Sequence, residues 1–314
     1  MAKTSITPGL ILSIGEAMVE MSQAETPETW RLGIAGDTLN TAWYLRRLLP
    51  APWRVGYVSR VGTGPFSDRM LGFLQDAGIE TAHVGRDPAR EIGLYAITLT
   101  AGERSFSYWR DTSAARGLAD DPAALARALG GARILYLSGI TLAILPAEGR
   151  AHLMAALERA RAGGATVVFD TNLRPRLWPD TASMGAAVQA MAGQADLVLP
   201  SFDDEAAHFG DCDPAATCAR YLRCGAGQVV VKNAGGPIHF GGATGAGVVE
   251  GLARVQPVDT TAAGDSFNAG FLAAMLGGDA CADAIRTAHD LSARVIGHRG
   301  ALVPKALPST APGR

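Results

Sequence analysis

At 314 residues, with 48% apolar and 18% charged side chains, the chain can bury a large α/β core, which excludes wholesale disorder. A formal net charge of −2 gives no bulk attraction to nucleic acid or an anionic membrane, so any anionic ligand must be held by local basic residues and backbone dipoles. Residues 1–9 show no signal-peptide pattern, no uncharged apolar run reaches membrane-spanning length, and Cys212, Cys218, Cys224 and Cys281 match no common zinc or redox spacing, so a cytoplasmic protein with free thiols is expected.

Along the chain, apolar β-type runs alternate with helical patterns. Strands are expected at 10–14, 54–59, 134–137, 166–169, 196–199 and 228–231, and helices near 38–49, 66–77, 146–162, 182–193, 203–209 and 214–223. Pro65 and Pro146 occupy first-turn positions, and Gly78, Gly163 and Gly225 occupy stops. This β-then-α rhythm predicts an α/β fold, with a mostly parallel sheet covered on both faces, in one domain over 1–314. Two segments, near 16–34 and 91–110, alternate like strands but have no crossover helix; the second carries Ala101-Gly102-Glu103 as a hairpin turn. They are expected to pair into a small β lid over the C-terminal edge of the main sheet. The Pro/Ala/Ser-rich tail, 304–314, is expected to be loosely held.

The chemistry-bearing residues fall at the ends of these elements. Gly36-Asp37-Thr38-Leu39-Asn40 opens a helix, where Asp37 and Asn40 are placed to bond polyol hydroxyls; a plain N-cap is the simpler reading of spacing alone. Tyr108-Trp109-Arg110 sets aromatic rings beside a guanidinium, which suits a sugar acid or a surface cation–π cluster. Asp170 to Arg176 follow a strand, where α/β folds place ligands, and Arg174 and Arg176 could grip a carboxylate or phosphate. The acidic run Asp203-Asp204-Glu205 suits a helix dipole, or Mg²⁺ through water. Lys232-Asn233-Ala234-Gly235-Gly236 makes a glycine turn that would pass under nucleotide phosphates or close a hairpin. The most informative stretch is Asp259-Thr260-Thr261-Ala262-Ala263-Gly264-Asp265. Small residues leading into a helix N-terminus make an anion site, and the carboxylate beside it is explained if it deprotonates an alcohol attacking a phosphoryl group.

In this order the motifs resemble the ribokinase-like (PfkB) family of carbohydrate kinases over nearly the whole chain. Residues 259–265 are similar to its C-terminal signature and residues 35–40 to its N-terminal one. A finer likeness, to 2-keto-3-deoxygluconate kinases, rests on Gly36 to Asn40, Tyr108-Trp109-Arg110, 172–178 and 200–205. The resemblance implies a three-layer core with a β lid, ATP and Mg²⁺ along the C-terminal part of the sheet, and phosphorylation of the sugar acid's 6-hydroxyl under the lid. Asp265 would be the base, with Ala262, Ala263 and Gly264 as anion hole. Gly36, Asp37, Asn40 and Asp259 would bind hydroxyls, Tyr95 would be a lid contact, and Tyr108, Arg110 and Arg174 would hold the keto acid. Asn172, Ser201, Lys232, Asn233, Gly235, Gly236 and Ser292 would line the nucleotide side, and Asp204 would meet the metal through water. A monovalent cation such as K⁺ near Asp259 and 298–301, and a homo-oligomer, are compatible with the family. Alanine stands at 35, 262 and 263 where many members carry glycine, Ser201-Phe202-Asp203-Asp204 replaces an Asn-x-x-Glu motif, and Glu20 replaces a sugar-binding aspartate. A kinase for ribose, fructose or a ketose phosphate, or a sugar-sensing protein without turnover, remain the alternatives.

Overall fold

The computed structural model describes residues 7–24, 26, 28–100 and 103–308. Its main sheet has nine strands. From one edge to the other they are β13 (Gly247–Val249), β12 (Ile238–Gly242), β11 (Gln228–Val231), β10 (Leu197–Val198), β9 (Thr166–Asp170), β8 (Ile134–Ser138), β1 (Leu10–Ile14), β4 (Arg54–Val61) and β5 (Glu80–Arg86). Pairing is parallel from β11 through β5, and β12 and β13 close the other edge as an antiparallel hairpin.

Strands covered on both faces must send alternate residues into two separate cores. Ile11, Tyr57, Tyr136 and Val168 face one core with helices α1 (Asp37–Leu48), α2 (Pro65–Asp76), α9 (Ala263–Leu276) and α10 (Cys281–Ile296). Leu12, Val58, Leu135 and Val167 face the other, packed on α3 (Pro122–Leu129), α4 (Gly139–Ile144), α5 (Ala147–Ala162), α6 (Thr181–Gln194) and α8 (Pro214–Arg223). A further helix, α7 (Phe202–Phe209), leaves the C-terminal end of β10 and stops at Gly210, whose φ of 72° no Cβ opposes.

The two rhythm-breaking segments form a separate four-stranded sheet in the order β3 (Trp30–Ala35), β2 (Met18–Gln23), β6 (Leu94–Thr100) and β7 (Glu103–Trp109). β2 and β6 are parallel neighbours, each carrying an antiparallel partner outside it, so the sheet is stitched from two hairpins far apart in sequence. Of the expected β6–β7 turn, Ala101 and Gly102 lie outside the described residues.

Several local expectations change. Strand β5 and helix α4 are additions to the expected elements: β5 is a polar, half-exposed edge strand, and α4 is a single short stretch capped by Ser138. Pro146 is the N-cap of α5 rather than its first helical residue. Part of the tail is fixed rather than loose: Ala306 is buried and its carbonyl accepts Arg294 Nε at 2.7 Å. The last residues of the chain, 309–314, lie outside the described set.

Candidate active site

The C-terminal ends of β1, β8, β9, β10 and β11 open toward one side of the main sheet, and the small sheet and the start of α9 face them across two cavities. Asp265 sits in the first turn of α9, nine-tenths buried. Asn40 Nδ2, from the first turn of α1, donates to its Oδ2 at 2.8 Å. Burial, and next the charges of Asp37 and Asp170, push the Asp265 carboxyl well above the usual range, while the Asn40 bond and Lys232 pull the other way. A carboxylate whose charged form is disfavoured in this way is a stronger base than an exposed one.

The turn before Asp265 carries strain. Ala262, the N-cap, has φ 61° in the left-handed region that disfavours a Cβ. Asn172 (φ 30°) and Ala234 (φ 34°) are the other described non-glycine residues at positive φ, and both also line the cavities. The expected anion hole changes in detail. The Ala263 N–H is committed to the Thr260 carbonyl at 3.2 Å, whereas the N–H groups of Ala262, Gly264 and Asp265 have no acceptor among the described residues and are the donors this turn has to offer.

Beside that turn lies a buried ionic network. Lys232 Nζ is 3.1 Å from Asp170 Oδ1 and 3.2 Å from Asn268 Oδ1, and Asn268 Nδ2 returns to Asp170 Oδ2 at 2.7 Å. A Cβ added to Gly264 would stand 3.5 Å from Lys232 Nζ, so the ammonium adjoins the helix N-terminus. Asp170 and Asn268 are not among the expected site residues. Asn268 lies three residues after Asp265 on the same face of α9, a spacing that could have flagged it.

The cavity under the small sheet measures about 350 Å³ and is lined by Gly36, Asp37, Asn40, Tyr95, Tyr108, Arg110, Arg174 and Asp265 from the expected set. Gly36 is there for the backbone: a Cβ would run into the Glu16 carbonyl. Arg110 directs Nε and Nη2 to Glu16 Oε2, a fully buried pair that compensates its charge. Arg174 is half exposed, 3.5 Å from Asp204 Oδ2. Asn172 faces this cavity rather than the other one, donating to Asp37 Oδ2 at 2.7 Å. Asp259 lines neither cavity; it accepts from the Thr261 N–H, the Thr261 hydroxyl and the Gly300 N–H at 3.0, 2.7 and 2.8 Å, tying the start of α9 to the 298–301 turn.

The second cavity, about 450 Å³, holds Ser201, Lys232, Asn233, Gly235 and Ser292 as expected, against an apolar wall including Phe202, Ile238, Val255 and Phe267. Ser292 also donates to the Ala263 carbonyl at 2.9 Å, so α10 braces the start of α9. Gly236 lines neither cavity and makes room for the Asn233 side chain, whose amide closes the turn on the Pro237 carbonyl at 3.0 Å. The two cavities meet along Ser201, Lys232, Thr260, Ala263 and Gly264. One side is polar and charged, the other largely apolar, and the turn at the start of α9 lies between them.

Residues 9–307 match the model of the pfkB family carbohydrate kinases. The chain belongs to the pfkB family. Among its relatives, a 2-dehydro-3-deoxygluconokinase of Escherichia coli (strain K12) is 39% identical over 94% of this chain and 97% of its own length. One of the same name from Dickeya dadantii (strain 3937) is 38% identical over 95% and 98%. Among solved structures, fructokinase with bound ATP from Xylella fastidiosa superposes with a TM-score of 0.80 at 27% identity, covering 95% of each chain.

In this pfkB kinase the metal question turns on Asp204. Burial raises its carboxyl and Arg174 pulls it back down. Among the described residues no group of three or more His, Cys, Asp or Glu side chains converges to hold an ion. Such a donor set fits a hard divalent ion carried on phosphate oxygens and met by one carboxylate through water, and does not fit an all-protein cage. Among the described residues, no helix is long and apolar enough to cross a membrane.

Proposed function

We propose that this kinase transfers the γ-phosphoryl group of ATP to the 6-hydroxyl of 2-keto-3-deoxy-D-gluconate, giving 2-keto-3-deoxy-6-phosphogluconate and ADP. The observation that carries the reading is the meeting of the two cavities at the α9 N-terminus, with Asp265 on the side where Tyr108, Arg110 and Arg174 gather. Full-length likeness to proteins named 2-dehydro-3-deoxygluconokinase supports it. The sugar acid would lie under the small sheet, and the nucleotide along the apolar cavity.

Asp265 accepts the proton of the 6-hydroxyl as that oxygen bonds to phosphorus, while the bond from phosphorus to the ADP oxygen breaks. The Gly264 and Asp265 N–H groups, with Lys232 beside them, stabilise charge on the transferring phosphoryl oxygens. Lys232 is held there by Asp170 and Asn268, so it arrives without reorganising. Mg²⁺, met by Asp204 through water, would supply further charge neutralisation on the phosphates. For a monovalent cation such as K⁺, the candidate region is Asp259 with the 298–301 turn, where one Asp259 oxygen takes the Gly300 N–H. All four cysteines are free, which supports a reducing, cytoplasmic setting.

A coupled ADP-release assay with Mg-ATP across keto-deoxy-gluconate, keto-deoxy-galactonate, gluconate, ribose, fructose and adenosine tests this. Turnover confined to the keto-deoxy acids is expected. Preferred turnover of a neutral sugar would overturn the substrate assignment, and ATP binding with no turnover on any of them would overturn the kinase reading.

A further inference from the structure

One row of residues runs straight across the cavity-facing side of the small sheet: Gly33 on β3, Glu20 on β2, Tyr95 on β6 and Tyr108 on β7. Directly opposed residues on one face of a sheet are in contact. At Gly33 a Cβ would stand 3.7 Å from Glu20 Oε1, so the glutamate lies along the row beside the bare glycine. Its other oxygen, Oε2, accepts a hydrogen bond from the Tyr95 hydroxyl. Next in the row, the Tyr108 ring packs on Tyr95 with centroids 5.8 Å apart, and its hydroxyl makes no hydrogen bond among the described residues.

A phenol has one proton to donate and lone pairs to offer. Tyr95 has committed its proton to Glu20, so it presents only lone pairs to the cavity. A substrate hydroxyl can donate to them; a substrate carboxylate would meet them as a repulsion, with the Glu20 charge behind. Tyr108 keeps its donor. Two adjacent tyrosines of the same chemistry therefore read opposite polarities, and the glutamate makes the difference.

We propose that Glu20 is a positioning residue for substrate selection, fixing the Tyr95 O–H so that Tyr95 accepts one hydroxyl of the sugar chain and the carboxylate end is left to Tyr108, Arg110 and Arg174. The carboxylate half of this statement rests on the keto-acid reading above; the polarity of Tyr95 does not. Burial first, and then the neighbouring Glu20 charge, raises the Tyr95 phenol far above its ordinary range, so it stays protonated at any working pH.

A double-mutant cycle on KM and kcat decides it, using wild type, Glu20→Ala, Tyr95→Phe and the double variant. The substrates are 2-keto-3-deoxygluconate and its analogues lacking one hydroxyl each. Tyr95→Phe should raise KM about tenfold with kcat little changed, Glu20→Ala should raise it nearly as much, and the double variant should be no worse than Tyr95→Phe. Wild type should reject one of the deoxy analogues, and both single variants should lose that rejection. Glu20→Gln, which keeps the packing and can turn oxygen or NH₂ to the phenol, should give an intermediate KM at an unchanged melting temperature. Additive losses, with Glu20→Ala still harmful when Tyr95→Phe is already in place, or a fall in kcat at constant KM, would overturn the proposal in favour of a merely structural strand contact. Should wild type turn over a neutral sugar instead, the acid reading fails, and the same cycle on that sugar is expected to show the same coupling.

Discussion

Asp170→Asn is the sharpest test of the buried network, because it removes one charge and almost no volume. Asp170 and Lys232 are among the most enclosed charges in the molecule, with 4% and 9% of their side chains exposed. Losing one member of such a pair strands the other; the cost is about 3 kcal/mol, the low end of the range, since the amide oxygen can still accept from Lys232. A chain of 314 residues has an unfolding entropy of about 0.66 kcal/mol per kelvin, so the melting temperature should fall by about 4–5 °C in calorimetry. A second readout moves in a direction that damage alone would not produce. The Asp170 charge is one of the causes holding the Asp265 carboxyl high, after burial and the Asp37 charge. Removing it lowers the Asp265 pKa, and because the base must be ionised to work, the acid limb of the kcat profile should move to lower pH. A melting temperature within a degree of wild type, or an acid limb displaced upward, would refute the electrostatic account of the site.

Asp265→Asn should cut kcat by about a hundredfold or more with the fold intact, measured by steady-state ADP release. The same variant should be more stable than wild type at pH 8. Folding raises the Asp265 pKa, so the stability linked to this group is fully present below the unfolded carboxylate value of about 4 and is lost as pH rises through the folded one; melts at pH 5 should show the smaller gap. Ala262→Gly removes a left-handed Cβ and should add up to about 1 kcal/mol, less the entropy that glycine gains in the unfolded chain, seen as a slightly higher melting temperature at near-normal turnover. Arg174→Ala should raise KM for the keto acid far more than for ATP. Equal losses on both would place Arg174 on the phosphate side.

The parts of this architecture written in local periodicity are readable from the chain. Buried parallel strands such as 134–138 and 166–170 announce themselves as apolar runs, and the small sheet does so by its lack of crossover helices. Strand β5 escapes because an edge strand with one wet side needs few apolar residues: Glu80, His83 and Arg86 read as loop. The site divides along the same line. The Asp265 motif is contiguous and visible, whereas the Asp170–Lys232 bond joins residues 62 apart and exists only because β9 and β11 flank β10. Arg110 reads as a free guanidinium because nothing in its own neighbourhood of sequence shows Glu16, 94 residues earlier, beneath it. The Asp259–Gly300 contact is invisible in the sequence for the same reason, its partners being 41 residues apart.

The shared wall between the two cavities has a consequence for inhibition. Ser201, Lys232, Thr260, Ala263 and Gly264 line both, so the two cavities adjoin at the start of α9 and one ligand need only cross that turn to occupy them together. A molecule joining a polyhydroxy acid to a nucleoside by a short phosphate-like tether would have its second half delivered at millimolar effective concentration once the first had bound. Such coupling can tighten binding by about 10²–10⁴ over either half. It would also separate this enzyme from the many proteins that recognise only the nucleotide, because selectivity would reside in the half that must fit beneath Tyr95 and Tyr108.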